Sequence, residues 1–326
     1  MNVSIIGTGS YLPERILTNA ELERMVDTSD EWVFTRTGIR QRRIAADTEA
    51  VSDMGAVAAG RALESAGLPA TEVGMIVMAT STPDMFFPSS ACLTQARIGA
   101  KNAFCFDLEA ACSGFLYALE TGRRFVEAGA VKNALIVGAE KLSCITDWTD
   151  RDTCVLFGDG AGAVVISSAG TGRGIIASVM HSDGTLAESL KVEGVGSRKL
   201  PPAEAGDGNT RPHIRMNGRE VFKHAVLSMA GAINEVLEKS GMGLDEISWV
   251  IPHQANIRII QAVNEKLNIP MERCCLNLER VGNISAASVP VALDEAARDG
   301  RIKKGQKILI VVVGAGFTWG ASVLEW

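Results

Sequence analysis

The sequence predicts an α/β protein made of two similar halves. Three observations carry that expectation. Short apolar, β-branched runs alternate with Ala-rich helical stretches. Several runs have no polar side, as expected of strands buried on both faces. Stretches of the second half also repeat stretches of the first in the same order.

The strand candidates, in chain order, are VSIIGTG (3–9), GMIVMAT (74–80), ALIVGAE (134–140), AGAVVISS (161–168), SWVIPH (248–253) and KILIVVVG (307–314). Helices are expected between them, among them 52–66 and 219–240. LESAGLPATEVGMIVMAT (63–80) aligns without gaps on LEKSGMGLDEISWVIPHQ (237–254), an offset of 174. DLEAACS (107–113) echoes NLERVGN (277–283) at an offset of 170, and 127–140 matches 298–316 with a short insertion. The halves so defined are roughly 1–170 and 171–326. Cys112 ends DLEAAC, Asn283 takes the equivalent turn of the second half, and His253 follows its VIP strand. Equivalent strand ends of two pseudo-symmetric halves can converge on the interface between them.

Composition removes several function classes. The 326 residues are 47% hydrophobic and 21% charged, enough for a large core. A net charge of −6 (32 − 38), with 5% aromatics, argues against nucleic-acid binding. MNVSIIGTGSYLP has neither a basic n-region nor a long apolar h-region, and ILIVVVGAGF (308–317) is too short to span a bilayer, so a cytoplasmic protein without a membrane partner is expected. Seven cysteines with no C-x-x-C spacing argue against a disulfide framework and a zinc site. IIGTGSYL fails as a dinucleotide loop, because Leu12 stands where a third Gly belongs after Gly7 and Gly9.

Cys112 lies between a strand end, DLEAA, and a stretch with helical apolar spacing, SGFLYAL. A thiol at a helix N-terminus is expected to be stabilised as thiolate by the dipole and the free N–H groups. The plainer alternative is a buried, inert cysteine. His253 is one of four histidines and sits after Pro252 in VIPHQAN. It could equally be a satisfied core histidine. Asn283, in RVGNISAASVP, reads alone as an ordinary turn residue. Together the three types define chemistry: a nucleophile, an acid/base or neutral N–H donor, and a fixed amide donor for an oxyanion. The chain order Cys-His-Asn is also that of papain-like hydrolases, although their C-G-[SA]-C-[WY] signature is missing.

Six longer motifs go further: TSDEWVFTRTGIRQRR (28–43), FDLEAACSGFLYAL (106–119), VLFGDGAGA (155–163), VIPHQANIRII (250–260), ERVGNISAASVPVALDEA (279–296) and GAGFTWG (314–320). Nearly end to end, the chain resembles the β-ketoacyl-acyl carrier protein synthase III family, the initiating condensing enzymes of type II fatty acid synthesis. The resemblance implies a thiolase fold, two halves in a five-layered αβαβα sandwich. It implies that Cys112 takes an acyl group from a short acyl-CoA. Malonyl-acyl carrier protein then loses CO2, and its enolate attacks the acyl-enzyme. His253 and Asn283 would stabilise the charge on the malonyl thioester oxygen. The Cys112 and Ala315 N–H groups would serve acyl transfer, with Gly314-Ala315-Gly316 standing where the family often has three glycines.

The resemblance also implies secondary roles. Thr28, Trp32, Arg36, Arg151 and Asn256 would bind CoA. GREVFK (218–223) would line the pantetheine channel, with Arg219 where the family often has Asn. Lys223, Gln254, Ala255, Asn256, Ile257, Arg258 and Lys266 would meet the acyl carrier protein. Phe87, Leu142 and Phe157 would wall the acyl pocket, and Phe87, in TPDMFFPSS (82–90), would reach across a homodimer to favour short primers. CoA thioester enters as substrate, with no further cofactor and no metal. The Gly/Pro-rich 191–212 is expected to be an exposed loop near the acyl channel. A secondary-metabolism relative with another donor and a Cys-His-Asn hydrolase are the alternatives.

Overall fold

The structure is a computed structural model that describes residues 2–169, 174–194, 196–197 and 212–326. Most of the 191–212 loop therefore lies outside the described residues. The first sheet orders its strands Ser4–Tyr11, Asp159–Ser167, Asn133–Lys141, Met75–Ala79, Phe104–Leu108. The second orders Gly174–Ser182, Thr318–Glu325, Lys307–Gly314, Trp249–Pro252. The pairing sense matches: two antiparallel pairs, then parallel pairing, which is two pairs in the first sheet and one in the second. The predicted strands all form. Phe104–Leu108 is the strand whose end DLEAA marks, while Gly174–Ser182 and Thr318–Glu325 escape the sequence reading because their polar and glycine residues interrupt the apolar pattern.

Alternation along the strands builds five layers. Val77 faces the centre of the molecule, whereas Ile76 and Met78 face the outer helix Val51–Ala66. Ile308, Ile310 and Val312 likewise face the centre, while Leu309, Val311 and Val313 meet the outer helices Gly218–Ser240 and Ile257–Leu267. Helices Gly114–Glu127 and Ser288–Arg298 fill the space between the sheets. This is the thiolase-type αβαβα sandwich. Gly7 and Gly9 turn out to be packing residues. A Cβ on either would lie 2.4 or 2.3 Å from a carbonyl oxygen of helix Val51–Ala66, so only glycine lets the helix sit on the strand. Asp294 joins the layers by accepting from Thr8 (2.7 Å), Ser10 (2.6 Å) and Arg298 (2.8 Å). Among the described residues, no helix is long and apolar enough to cross a membrane.

Candidate active site

Three strand ends deliver the site. Phe104–Leu108 leads into the single 3₁₀ turn Ala111–Ser113, and helix Gly114–Glu127 follows at once. Trp249–Pro252 delivers His253, whose N–H bonds the Val311 carbonyl at 2.8 Å. Lys307–Gly314 ends against the nucleophile's turn. A Cβ on Gly314 would lie 2.7 Å from the Cys112 nitrogen, so glycine is required for that approach. The Thr318 hydroxyl donates to Ala110 O at 3.0 Å and Ser113 Oγ donates to Thr318 O at 3.0 Å, pinning the turn to the hairpin.

Cys112, His253 and Asn283 line one cavity of about 120 Å³. Phe157, Gly218, Val221, Phe222, Ala255 and Asn256 contribute to the same wall. Asn283 is fixed at both ends of its backbone, donating to Leu156 O at 2.9 Å and accepting from Gly158 at 3.0 Å. Its Oδ1 accepts from the Ser285 N–H at 2.9 Å, which leaves the Nδ2 amide as the group to present. His253 is 3% exposed, and burial pushes its imidazole down to about 3, so the ring is neutral at working pH. Its buried Nδ1 has no partner, and an orphan acceptor is less costly than an orphan N–H. The proton accordingly belongs on Nε2.

The thiol departs from expectation. Burial pushes Cys112 up to about 12, with Glu140 and Glu109 adding to the rise and a Ser285 contact opposing it. Desolvation outweighs the favourable helix terminus, so the resting group is a thiol and its proton must go elsewhere during reaction.

Trp32 is half-buried and carries both predicted arginines. The Arg36 guanidinium lies 4.8 Å and that of Arg151 4.9 Å from the ring centre. Arg151 also donates to Asp27 O at 3.0 Å, and the Thr28 hydroxyl beside it is buried without a partner. An apolar cluster including Phe157, Leu190, Met216 and Ile257 runs from the cavity to Trp32. Leu142 belongs to that cluster, with Phe157, and is not among the residues lining the cavity. Ala315 is not among the residues lining the cavity, whereas its neighbour Gly314 is.

The 254–258 stretch divides. Gln254 is fully buried: Nε2 donates to Pro252 O (2.8 Å) and Cys275 O (3.2 Å), and Oε1 accepts from Asn277 (3.2 Å) and Leu278 (3.3 Å). It cannot meet a docking protein and instead braces the loop after His253. Asn256 caps helix Ile257–Leu267 through the Arg258 N–H at 2.9 Å, and Ile257 packs beside Gly38. Arg258 and Lys266 on that helix and Lys223 on the adjacent Gly218–Ser240 are exposed, as is Arg219. Phe86 and Phe87 are 79% and 85% exposed in the single chain, so they do not fill its own core.

Sequence reading missed Ser285 and Glu140. Ser285 stands two residues after Asn283 and holds a left-handed φ of 46°. Glu140 is the one acid closing the apolar run ALIVGAE, and it is completely buried. A charge at the end of a strand buried on both faces was the available signal.

Comparison with known proteins agrees with this geometry. The 3-oxoacyl-[acyl-carrier-protein] synthase III model matches residues 106–184, and the model of that family's C-terminal part matches 237–326. A beta-ketoacyl-[acyl-carrier-protein] synthase III of Caldanaerobacter subterraneus subsp. tengcongensis is 52% identical over 322 residues, covering 99% of this chain and 97% of that one. The chain belongs to the 3-oxoacyl-[acyl-carrier-protein] synthase III family. It is a condensing acyltransferase that initiates fatty acid synthesis. The crystal structure of the Aquifex aeolicus synthase III, 50% identical, superposes with a TM-score of 0.93 and covers 99% of this chain and 100% of that one. A priming β-ketosynthase of the R1128 polyketide pathway is 36% identical, with a TM-score of 0.93, covering 99% of this chain and 96% of that one. Xanthomonas campestris OleA, 20% identical with a TM-score of 0.87 and covering 100% and 99% of the two chains, shares the fold. Membership in this synthase III family sets the hydrolase reading aside.

Proposed function

We propose that this synthase III moves a short acyl group, acetyl foremost, from CoA to Cys112 and condenses it with malonyl-acyl carrier protein. The supporting observation is one cavity holding a thiol, a neutral imidazole and a free amide. Cys112 Sγ attacks the thioester carbonyl, CoA leaves, and the Cys112 N–H, in the 3₁₀ turn just before helix Gly114–Glu127, receives the oxyanion. CoA lies along the apolar wall towards Trp32, Arg36 and Arg151. Malonyl-acyl carrier protein then enters, with Lys223, Arg258 and Lys266 meeting its acidic surface. As CO2 departs, negative charge collects on the thioester oxygen. His253 Nε2–H and Asn283 Nδ2 stabilise it without abstracting a proton, which suits a ring that stays neutral. The enolate carbon attacks acyl-Cys112, giving 3-oxoacyl-acyl carrier protein and free Cys112. Intact-mass analysis after exposure to a panel of acyl-CoAs tests this. A single adduct that is lost in Cys112→Ser and kept when any other cysteine is replaced is the expected result. Label on another cysteine would refute it.

A further inference from the structure

We propose that Arg42 is a positioning residue for the condensation step: its buried guanidinium holds the Val155–Gly158 segment, which fixes Asn283 and so aims the Asn283 amide at the charge formed when CO2 leaves. The inference rests on Asn283 being an oxyanion donor. Arg42 lies on strand Gln41–Ile44, which pairs with Arg15–Thr18. It is completely buried and does not line the cavity. Its Nη2 donates to Val155 O at 2.7 Å, and its Nη1 donates to Asn19 Oδ1 at 2.9 Å and Leu17 O at 3.3 Å. Asn19 is itself fixed, its Nδ2 donating to Ile39 O at 2.8 Å. Beyond Val155 the chain meets Asn283. Leu156 O accepts the Asn283 N–H, the Gly158 N–H donates to Asn283 O, and Phe157 pairs with Asn283 between them. Leu156, Phe157 and Asn283 all line the cavity. The stem of Arg42 sits under the same contact. A Cβ on Gly158 would lie 3.1 Å from Arg42 Cβ, and one on Gly282, the residue before Asn283, 3.0 Å. Glycine on each segment lets both close over this one side chain.

Packing alone would place an apolar side chain at position 42. A buried guanidinium is costly unless a counter-charge and a full set of acceptors meet it. Among the described residues, Cys154 is the only titratable group acting on Arg42, no carboxylate pairs with it, and its Nε has no partner. Burial lowers it only to about 10, so the charge persists at neutral pH. Such a breach of the rules for a core is expected where function requires it, and here the strongest of the three bonds goes to the backbone that carries the oxyanion donor. Arg42 does not touch substrate and acts through Val155–Gly158. Asn283 Oδ1 is committed to the Ser285 N–H, so the direction of its Nδ2 follows from where its backbone is held. Without the bond to Val155 the segment is free to shift, and a misplacement of about 1 Å at a reacting group costs about 100-fold in rate.

The test is a double-mutant cycle on malonyl thioester decarboxylation. Acylation of Cys112 by acetyl-CoA is measured on the same preparations, and rates are referred to folded protein. Arg42→Met should lower kcat for decarboxylation about 100-fold, with KM changed less than about twofold and acylation slowed less than about threefold. Arg42→Lys keeps a charged donor but not the fork that serves Val155 and Asn19 together, and should lose about tenfold. Once Asn283→Ala has removed the amide, adding Arg42→Met should slow decarboxylation by less than about twofold more, because nothing is left to aim. Losses that multiply in the double variant overturn the proposal, as does an equal fall in both half-reactions. If Arg42→Met does not fold, Arg42→Lys carries the same cycle from its smaller loss. An Asn283→Ala protein that decarboxylates like wild type would overturn the reading of the site, and the role of Arg42 with it.

Discussion

Ala111 and Ser285 hold the same left-handed backbone, φ 46° in each, and stand 174 positions apart (285 − 111). Each opens a 3₁₀ turn, Ala111–Ser113 and Ser285–Ala287, that runs into a central helix. The offset seen between 63–80 and 237–254 thus extends through the active-site turns. It makes Ala286, not Asn283, the counterpart of Cys112. The offset is the same on both sides, so helix Leu278–Val281 takes the place of strand Phe104–Leu108 (278 − 174 = 104), and Asn283 follows it at the position of Glu109 (283 − 174 = 109). One turn of the duplicated pair carries Cys112, and the other packs directly against it.

His253→Ala and Asn283→Ala should each slow malonyl decarboxylation by about 100- to 1000-fold and acylation of Cys112 far less. Because His253 titrates near 3, decarboxylation should show no imidazole inflection between about pH 5 and 8. Separate assays of the two half-reactions check both points. An inflection near 6.5 that vanishes in His253→Ala would contradict a neutral donor.

Gln254→Ala should destabilise the fold by about 3 kcal/mol, since it strands buried donors and acceptors that its amide now joins. Denaturant titration measures this. The Michaelis constant for the carrier-bound substrate, corrected for folded protein, should stay within about twofold, because the side chain never reaches the surface.

Arg36→Ala and Arg151→Ala should raise the Michaelis constant for acyl-CoA about tenfold, the scale of a lost cation–π or phosphate contact, with little effect on the carrier substrate. Lys223→Glu and Arg258→Glu should do the reverse and weaken further with salt. Initial rates at two ionic strengths separate the classes, and equal effects on both substrates would dissolve the division.

Phe86 and Phe87 expose more aromatic surface than a single chain tolerates well, and an isologous dimer is the simplest cover. Light scattering at micromolar concentration should give a dimer. Phe87→Thr should widen the accepted primers beyond two to four carbons, as seen in a panel of acyl-CoAs. A monomer, or a wild-type preference for decanoyl-CoA, would count against the cross-subunit pocket.

Glu140→Gln should stabilise the protein more at pH 8 than at pH 4.5. Glu140 titrates at about 7 when folded against 4.5 when unfolded, so the folded state holds a proton that the unfolded state releases in that window. Stability is therefore lost as pH rises through the window, and the loss is complete above it. Glutamine has no such loss. The gap between the two proteins should widen by up to about 3 kcal/mol from the lower to the higher pH, measured by denaturant unfolding.

The sequence by itself determined six of the strands and pointed to three candidate residues of the site. Uninterrupted apolar runs such as Asn133–Lys141 have only one use, as strands covered on both faces, and the 174 offset carried the duplication. Cys112, His253 and Asn283 stood out because each type offers chemistry at a strand end or turn. Only the tertiary structure decided what surrounds them. Local pattern puts Cys112 at a helix terminus, where a low thiol pKa is expected, but layers stacked on both sides remove water and reverse the sign. The same packing takes Gln254 out of a stretch that reads as surface, sets Leu142 and Phe157 in one apolar cluster, and brings Glu140 to Thr82 from 58 positions away (140 − 82). Burial and contacts across the two halves are properties of the stacked sheets, and no window of the chain contains them.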